Sequence, residues 1–282
     1  MNQKVNSTKL ESISVDELHS LLYAGAAYLM DFCRARGLRC VATAGTLLGA
    51  AREGGIIPWD LDADFLMPRH DFERFVNDAS FENEKFGLLY WKKGHKTPVN
   101  LARVILKQTS TKSAERFCKP QDLIYIDVFV LDSIVDDENT IWNTRKRLQR
   151  INRLLTLKYG DYHSAPVIKR IAHLAIKALL VFASGRKLHC AFERISTQWN
   201  GQNAPLVFYG GGYFCYKMAI KEWYPKEFFS EAISLPFGPI EIDCPKAYDA
   251  CLKILYGPDY LTPKIRPAGP SFFYADKCFW QI

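Results

Sequence analysis

The sequence predicts an α/β protein, α+β in the ordering of its elements, in which a mixed sheet is flanked by helices and carries a helical insertion and a C-terminal extension. Three observations carry this. Short apolar, β-rich runs recur in the first half, at 38–43, 87–91, 99–106 and 123–131. Amphipathic stretches at 14–36 and 69–79 alternate with them. After Asp132 the pattern turns helical, over 138–158 and 186–200, and then gives way to turn-rich aromatic segments. Apolar spacing of this kind separates helix from strand. With no internal repeat and no low-complexity linker, the chain reads as a single domain, 1–282, with a core at about 14–132, a helical insertion at about 137–200 and a C-terminal part at about 205–282.

Each element has a local reason. Ser14 with Glu17 three residues on is a capping box, which opens a helix. That helix runs to Arg36 and stops at Gly37, where a left-handed residue costs little. A strand at 38–43 leads through the Gly45-Thr46 turn into a short helix at 47–52, which Gly54-Gly55 breaks. Pro58 then leads into a strand at 60–66. Near the C-terminus, PFGPIEI at 236–242 suggests a hairpin, and a last helix is expected at about 245–255.

The totals restrict the function. Of 282 residues 48% are hydrophobic and 24% charged, the balance of a globular protein rather than a disordered one. A net charge of +7 favours anionic partners, but no nucleic-acid-binding motif appears and no nucleic acid is expected. The eight cysteines are scattered without a CxxC pair, which suits core fillers in a reduced, cytoplasmic compartment. Residues 1–13 are polar and lack the apolar centre of a signal peptide, and no uncharged apolar run reaches membrane-spanning length.

The chemistry concentrates in residues 44–67, AGTLLGAAREGGIIPWDLDADFLM. Asp60, Asp62 and Asp64 alternate, so on a strand they share one face. Carboxylates that close cannot all stay ionised without a cation between them. A hard, oxygen-seeking ion suits them, Mg²⁺ with Mn²⁺ as a substitute, and such sites usually handle phosphates. Asp127 sits alone in the apolar run LIYIDVFVL, where an unpartnered carboxylate is expensive, so it should face something positive.

The Gly45-Thr46 turn, Asp62-x-Asp64 and Asp127 together resemble the active-site pattern of the nucleotidyltransferase fold. The longer stretch GTLLGAAREGGIIPWDLDADFLM resembles the signature of the LicD family, which includes bacterial phosphocholine transferases and the animal fukutin and fukutin-related proteins. The resemblance continues in YIDVFVLD at 125–132. It returns in Pro245-x-x-Tyr248-x-x-x-Leu252-x-x-x-Tyr256-Gly257-Pro258-Asp259-Tyr260-x-x-Pro263. It implies a nucleotidyltransferase-like mixed sheet and a phosphotransferase. The implied reaction moves a substituted phosphate from a CDP-linked donor, such as CDP-choline, to a hydroxyl of a cell-surface or lipid-linked glycan, with CMP released. Carried over by position, Asp62, Asp64 and Asp127 match the catalytic, metal-binding carboxylates, and Gly45 and Thr46 the phosphate-binding turn. A nucleotidyltransferase that moves a nucleotide to its acceptor and releases pyrophosphate is the alternative.

Other residues have two readings each. Arg52, between the turn and the aspartates, suits bidentate contact with phosphate or carboxylate, or else a structural salt bridge. Asp60 reads as an outer partner of the metal pair, or as a cap or turn residue after Pro58-Trp59. Arg103, in register with Lys107 on one strand face, would help bind the donor diphosphate, or lie on a solvated face. Trp59 would stack on a ring or fill the core. Gly210-Gly211-Gly212 is a tight turn more than a phosphate loop, and His95 and His163 sit in loop-like contexts. The stretch 166–184, with Lys169, His173 and Lys177 four residues apart, is a core-packed helix or a basic amphipathic one at a membrane surface. The latter would put the protein peripherally at the inner face of the membrane.

Overall fold

The computed structural model describes residues 10–112, 119–160, 184–211, 222–263 and 273–282. Its first long helix, α1 (Val15–Ala35), starts as the capping box requires. The Ser14 hydroxyl accepts from the Glu17 N–H at 3.1 Å, and the Glu17 carboxylate accepts from the Ser14 N–H at 2.7 Å. Gly37 ends it at φ 58°, and the Leu38 N–H turns back to the Cys33 carbonyl at 2.9 Å. Leu18, Leu22 and Leu29 are buried against the sheet. Gly25 permits the close approach, because a Cβ there would lie 2.7 Å from Ile126 Cδ1.

The main sheet is mixed and open. After a short β1 (Glu11–Ile13), its strands are β2 (Val41–Ala42), β3 (Asp64–Pro68), β4 (Phe86–Leu89), β5 (Ala102–Leu106), β7 (Ile124–Ile134), β8 (Leu206–Tyr209) and β9 (Trp223–Pro225). The order is β2-β3-β7-β5-β4, with β8 paired to β7 and β9 to β8. Among the described strands only β3 and β7 run parallel. β6 (Thr109–Ser110) joins β1 and β12 (Phe273–Ala275) in a smaller sheet, and β10 (Ala232–Phe237) and β11 (Ile240–Pro245) form the hairpin read from PFGPIEI. The described helices besides α1 are α2 (Ala44–Arg52), α3 (Arg69–Asn77), α4 (Glu138–Tyr159), α5 (Gly185–Ser196), α6 (Tyr248–Tyr256) and α7 (Lys277–Trp280). The mixed α/β class expected from the sequence is the one found.

Boundaries moved where tertiary pairing overrode local pattern. The aspartate strand begins only at Asp64, because the Asp60 N–H closes a turn onto the Ile57 carbonyl at 2.8 Å and residues 61–63 follow irregularly. α2 starts at Ala44, so Gly45 and Thr46 lie inside its first turn rather than before it. β7 extends beyond 131 to Ile134 because β8 pairs with that end, Leu131 opposite Tyr209 and Ile134 opposite Leu206. Of the cysteines, Cys33, Cys40, Cys244 and Cys251 are buried as expected, whereas Cys190 and Cys278 are exposed. The stretch expected to be helical at 166–184 lies outside the described residues except for Ser184, whose hydroxyl accepts from the Lys187 N–H at the start of α5. Cys118, Cys215, His163 and Gly212 also lie outside them.

α4 and α5 close over a second apolar cluster of Ile134, Ile141, Leu148, Phe192, Ile195 and Phe208. A polar tie joins it to the main sheet. Arg69 at the start of α3 forks onto Asp132 of β7, Nε to Oδ1 at 2.8 Å and Nη2 to Oδ2 at 2.5 Å. The Asn200 amide donates to Asp132 Oδ1 at 2.7 Å, and the Asn200 carbonyl oxygen accepts from the Ser133 N–H at 2.7 Å. The Asp132 side chain is 1% exposed, so truncating it leaves a mostly buried guanidinium short of its counter-charge. Breaking one side of such a pair typically costs about 3–5 kcal/mol. Asp132→Ala is expected to lower the unfolding free energy by about that amount, read by urea denaturation, without changing the residues that line the cavity described next.

Candidate active site

The sheet register builds the site. Asp64 on β3 is opposite Asp127 on β7, and Asp127 is opposite Arg103 on β5. The three side chains therefore form one row across adjacent strands, on one face. Arg103 Nε donates to Asp127 Oδ1 at 2.8 Å, with both side chains about 15% exposed (15% and 14%). The guanidinium also lies 3.7 Å over the Tyr125 ring. This meets the expectation that Asp127 faces a positive group, and it puts Arg103 on the carboxylate rather than on a solvated sheet face.

The first turn of α2 is stapled to the same row. Thr46 Oγ1 accepts from the Asp64 N–H at 2.8 Å, and the Thr43 N–H donates to the Asp64 carbonyl at 3.1 Å. Gly45 has no side chain for a definite reason: a Cβ there would collide with Asp60 Oδ2. That carboxylate thus rests against the positive end of the helix. Its Oδ1 accepts from the Leu61 N–H at 3.2 Å, and its charge helps raise the neighbouring Asp62. His19 Nε2 donates to the Asp60 carbonyl at 2.8 Å, which fixes the turn from α1. Asp60 thereby serves as the turn residue of one of its readings.

Asp62, Asp64, Asp127, Arg103, Ala44, Val99, Leu101, Phe129, Tyr209, Gly211 and Glu222 surround a cavity of about 220 Å³. Four carboxylates face one guanidinium there. Burial, then the field of neighbouring carboxylates, holds Asp64 well above the usual carboxylate range. Burial also raises Asp127, against the opposing pull of Arg103. Asp62 is exposed, but partial desolvation, then the Asp60 carboxylate, push it up to about 7. An all-oxygen, over-negative donor set of this kind fits a hard dication. Among the described residues, no group of three or more His, Cys, Asp or Glu side chains forms a ready-made cage, and Asp127 is engaged by Arg103. Mg²⁺ ordinarily keeps several waters and takes one or two carboxylates plus substrate phosphates. Asp62 and Asp64 suit that open mode.

Not every expected residue arrives here. Arg52 turns away from the cavity: its Nε donates to Glu53 at 2.7 Å and its Nη1 to the Tyr260 carbonyl at 3.3 Å, tying α2 to the C-terminal motif. Lys107 donates to the Asn83 carbonyl at 2.5 Å, and Trp59 packs against the core. Among the cavity residues not singled out from sequence are Ala44, Tyr209 and Glu222. Ala44 adopts φ 47°, a left-handed conformation that costs a non-glycine residue about 1–2 kcal/mol and tends to mark functional sites. Tyr209 and Glu222 come from the C-terminal third; a buried acid beside a Trp-Tyr strand pair was the signal available for Glu222.

The mixed sheet thus sets carboxylates from two neighbouring strands beside the start of a short helix. Residues 37–151 match the family described as LicD/FKTN/FKRP, nucleotidyltransferase domain. The lipopolysaccharide cholinephosphotransferase LicD of Haemophilus influenzae is 26% identical over 238 residues, covering 77% of this chain and 80% of that protein.

The raised carboxyls have a stability signature in the metal-free protein. A folded pKa near 7 for Asp62, against about 3.9 unfolded, means the folded state holds the proton longer. The associated stability is full below about pH 4 and declines as pH rises toward 7. With chelator present, Asp62→Asn is therefore expected to melt at a higher temperature than wild type at pH 8, with the difference vanishing toward pH 4. Calorimetric melting across that range checks it.

Proposed function

We propose that this protein is a phosphotransferase that moves a substituted phosphate, phosphocholine or a similar group, from a CDP-linked donor to a hydroxyl of a cell-surface or lipid-linked glycan, releasing CMP. The observation that carries the reading is the row Asp64–Asp127–Arg103 with Asp62 at the cavity mouth, in a chain related to a lipopolysaccharide cholinephosphotransferase.

Asp62 and Asp64 would hold a Mg²⁺ ion, which when bound neutralises charge on the donor's diphosphate. Phosphoryl-type transfer asks the protein mainly for positioning and electrostatic stabilisation. Arg103 supplies a fixed positive charge within the row. Asp127, kept basic by burial and aimed by Arg103, takes the proton from the acceptor hydroxyl. Thr46 and Thr43 hold Asp64 in place through its backbone. No described helix is long and apolar enough to cross a membrane, and we place the reaction in the cytoplasm, at the inner face of the membrane for a lipid-linked acceptor.

The test is incubation with CDP-choline, Mg²⁺ and a lipopolysaccharide acceptor, with CMP and glycan-bound phosphocholine as readouts. Asp62→Asn and Asp64→Asn are expected to lower turnover by at least about 100-fold, the scale on which loss of one preorganised electrostatic group acts, while retaining the wild-type circular dichroism. Pyrophosphate with nucleotide attached to the acceptor would instead identify a nucleotidyltransferase. Fully active aspartate variants would remove the site assignment.

A further inference from the structure

The chain's net charge is concentrated in two helices. α4 carries six Lys and Arg against one Glu, and α5 three against one. Together they hold +7, the net charge of the whole chain, so the rest of the sequence balances to zero. Within α4 the charge occupies one face. Asn143, Lys146, Arg147, Arg150, Arg153 and Leu154 are exposed and follow the spacing of a single helix face, which Leu157 continues half-buried. Glu138, the acid of this helix, falls outside that arc.

Elsewhere on the surface Arg34 is paired with Asp243, Lys246 with Glu231 and Lys253 with Asp249. Lys146, Arg147, Arg150 and Arg153 have no such counter-charge among the described residues. Like charges three and four residues apart destabilise a helix, so folding gives no reason for this face, and it suits a partner of opposite charge. The other side of α4 is tied to the cavity. Asn152, two and a half turns from Asn143, accepts through its side-chain oxygen from the Asn100 amide at 2.8 Å. Asn100 stands between Val99 and Leu101 of the cavity lining. The cationic face is thus backed by the cavity wall across one helix diameter, about 10–12 Å.

We propose that the outer face of α4 is a membrane-docking surface, and that its partner is the phosphate head-group layer of an anionic lipid bilayer. A cluster of four or more Lys and Arg on an amphipathic helix matches the charge of such a layer. Leu154 and Leu157 within the row match the apolar boundary beneath the head groups. RNA offers the same charge without that boundary, which is what selects the bilayer. The inference deepens the transfer reading above and rests on it for the acceptor: docking holds a lipid-linked glycan at the side of the molecule where the cavity wall lies. It does not draw on residues 166–184.

The test is co-sedimentation of the full chain with vesicles of phosphatidylglycerol and phosphatidylcholine in equal parts, and with phosphatidylcholine alone. Wild type is expected to bind the anionic vesicles at least about tenfold more tightly, and to lose that binding at about 1 M salt, where the screening length falls to about 3 Å. Lys146→Gln, Arg147→Gln, Arg150→Gln and Arg153→Gln combined keep good helix formers in place. This variant is expected to bind at least about 100-fold more weakly, at about fivefold per cation near an anionic surface. Lys246→Gln with Lys253→Gln, which removes charge elsewhere, is expected to leave binding nearly unchanged. Circular dichroism and melting establish that the fourfold variant is folded; if it is not, Lys146→Gln with Arg150→Gln decides, with a loss of about 25-fold.

Wild type that ignores anionic vesicles, α4 variants that bind as wild type does, an equal loss in the control pair, or tighter binding to a single-stranded RNA than to the vesicles would each overturn the inference. The transferase reading would stand, because CMP release in the assay above measures it separately. Vesicle binding with no CMP release from any CDP-linked donor would overturn the transferase reading and leave the docking surface in place.

Discussion

The register across β3, β7 and β5 is the constraint on which the rest of the site depends. Side chains alternate along a strand, so a slip of one residue would send Asp127 to the opposite face and break its pairing with both Asp64 and Arg103. The register is in turn fixed by burial. Ile126 and Val128, flanking Asp127, are 0% exposed and belong to the main core. A slip would bury the carboxylate among them. The hydrophobic core and the carboxylate row are thus two faces of one pairing scheme, and α1, packed on the core through Gly25, holds the scheme in place.

Electrostatics give the row its character. Four carboxylates around a small cavity with one guanidinium is an arrangement that folding alone would not favour. The surrounding structure tolerates it through specific ties: Thr46 and Thr43 on the Asp64 backbone, His19 on the Asp60 carbonyl, Arg103 on Asp127. Ala44 in its left-handed conformation adds local strain at the same place. Strain and like charge gathered in one spot are typical of a site shaped for a ligand.

Much of this was legible in the sequence because it is local. The capping box at Ser14, the stop at Gly37, the hairpin at 236–242 and the isolation of Asp127 in an apolar run all follow from neighbours within a few residues. What escaped is non-local. The strand containing the aspartates shortened because of a turn hydrogen bond from Asp60 to Ile57. Arg52 went to the Tyr260 carbonyl, a partner far along the chain, although its position between turn and aspartates suited a phosphate. Glu222 and Tyr209 join the cavity only because β8 pairs with the end of β7. No spacing within their own segment announces that pairing.

That pairing of β8 onto β7 has an evolutionary consequence. The segment that matches the family, 37–151, contains the whole carboxylate row, whereas Tyr209 and Glu222 lie beyond it. The carboxylate row and the surface beside it therefore lie in separate stretches of the chain. Substitutions in the later stretch can reshape what the cavity accepts while the earlier one stays under constraint for the sheet register. A chain built this way can alter the cavity's later wall without disturbing the register that sets the carboxylates.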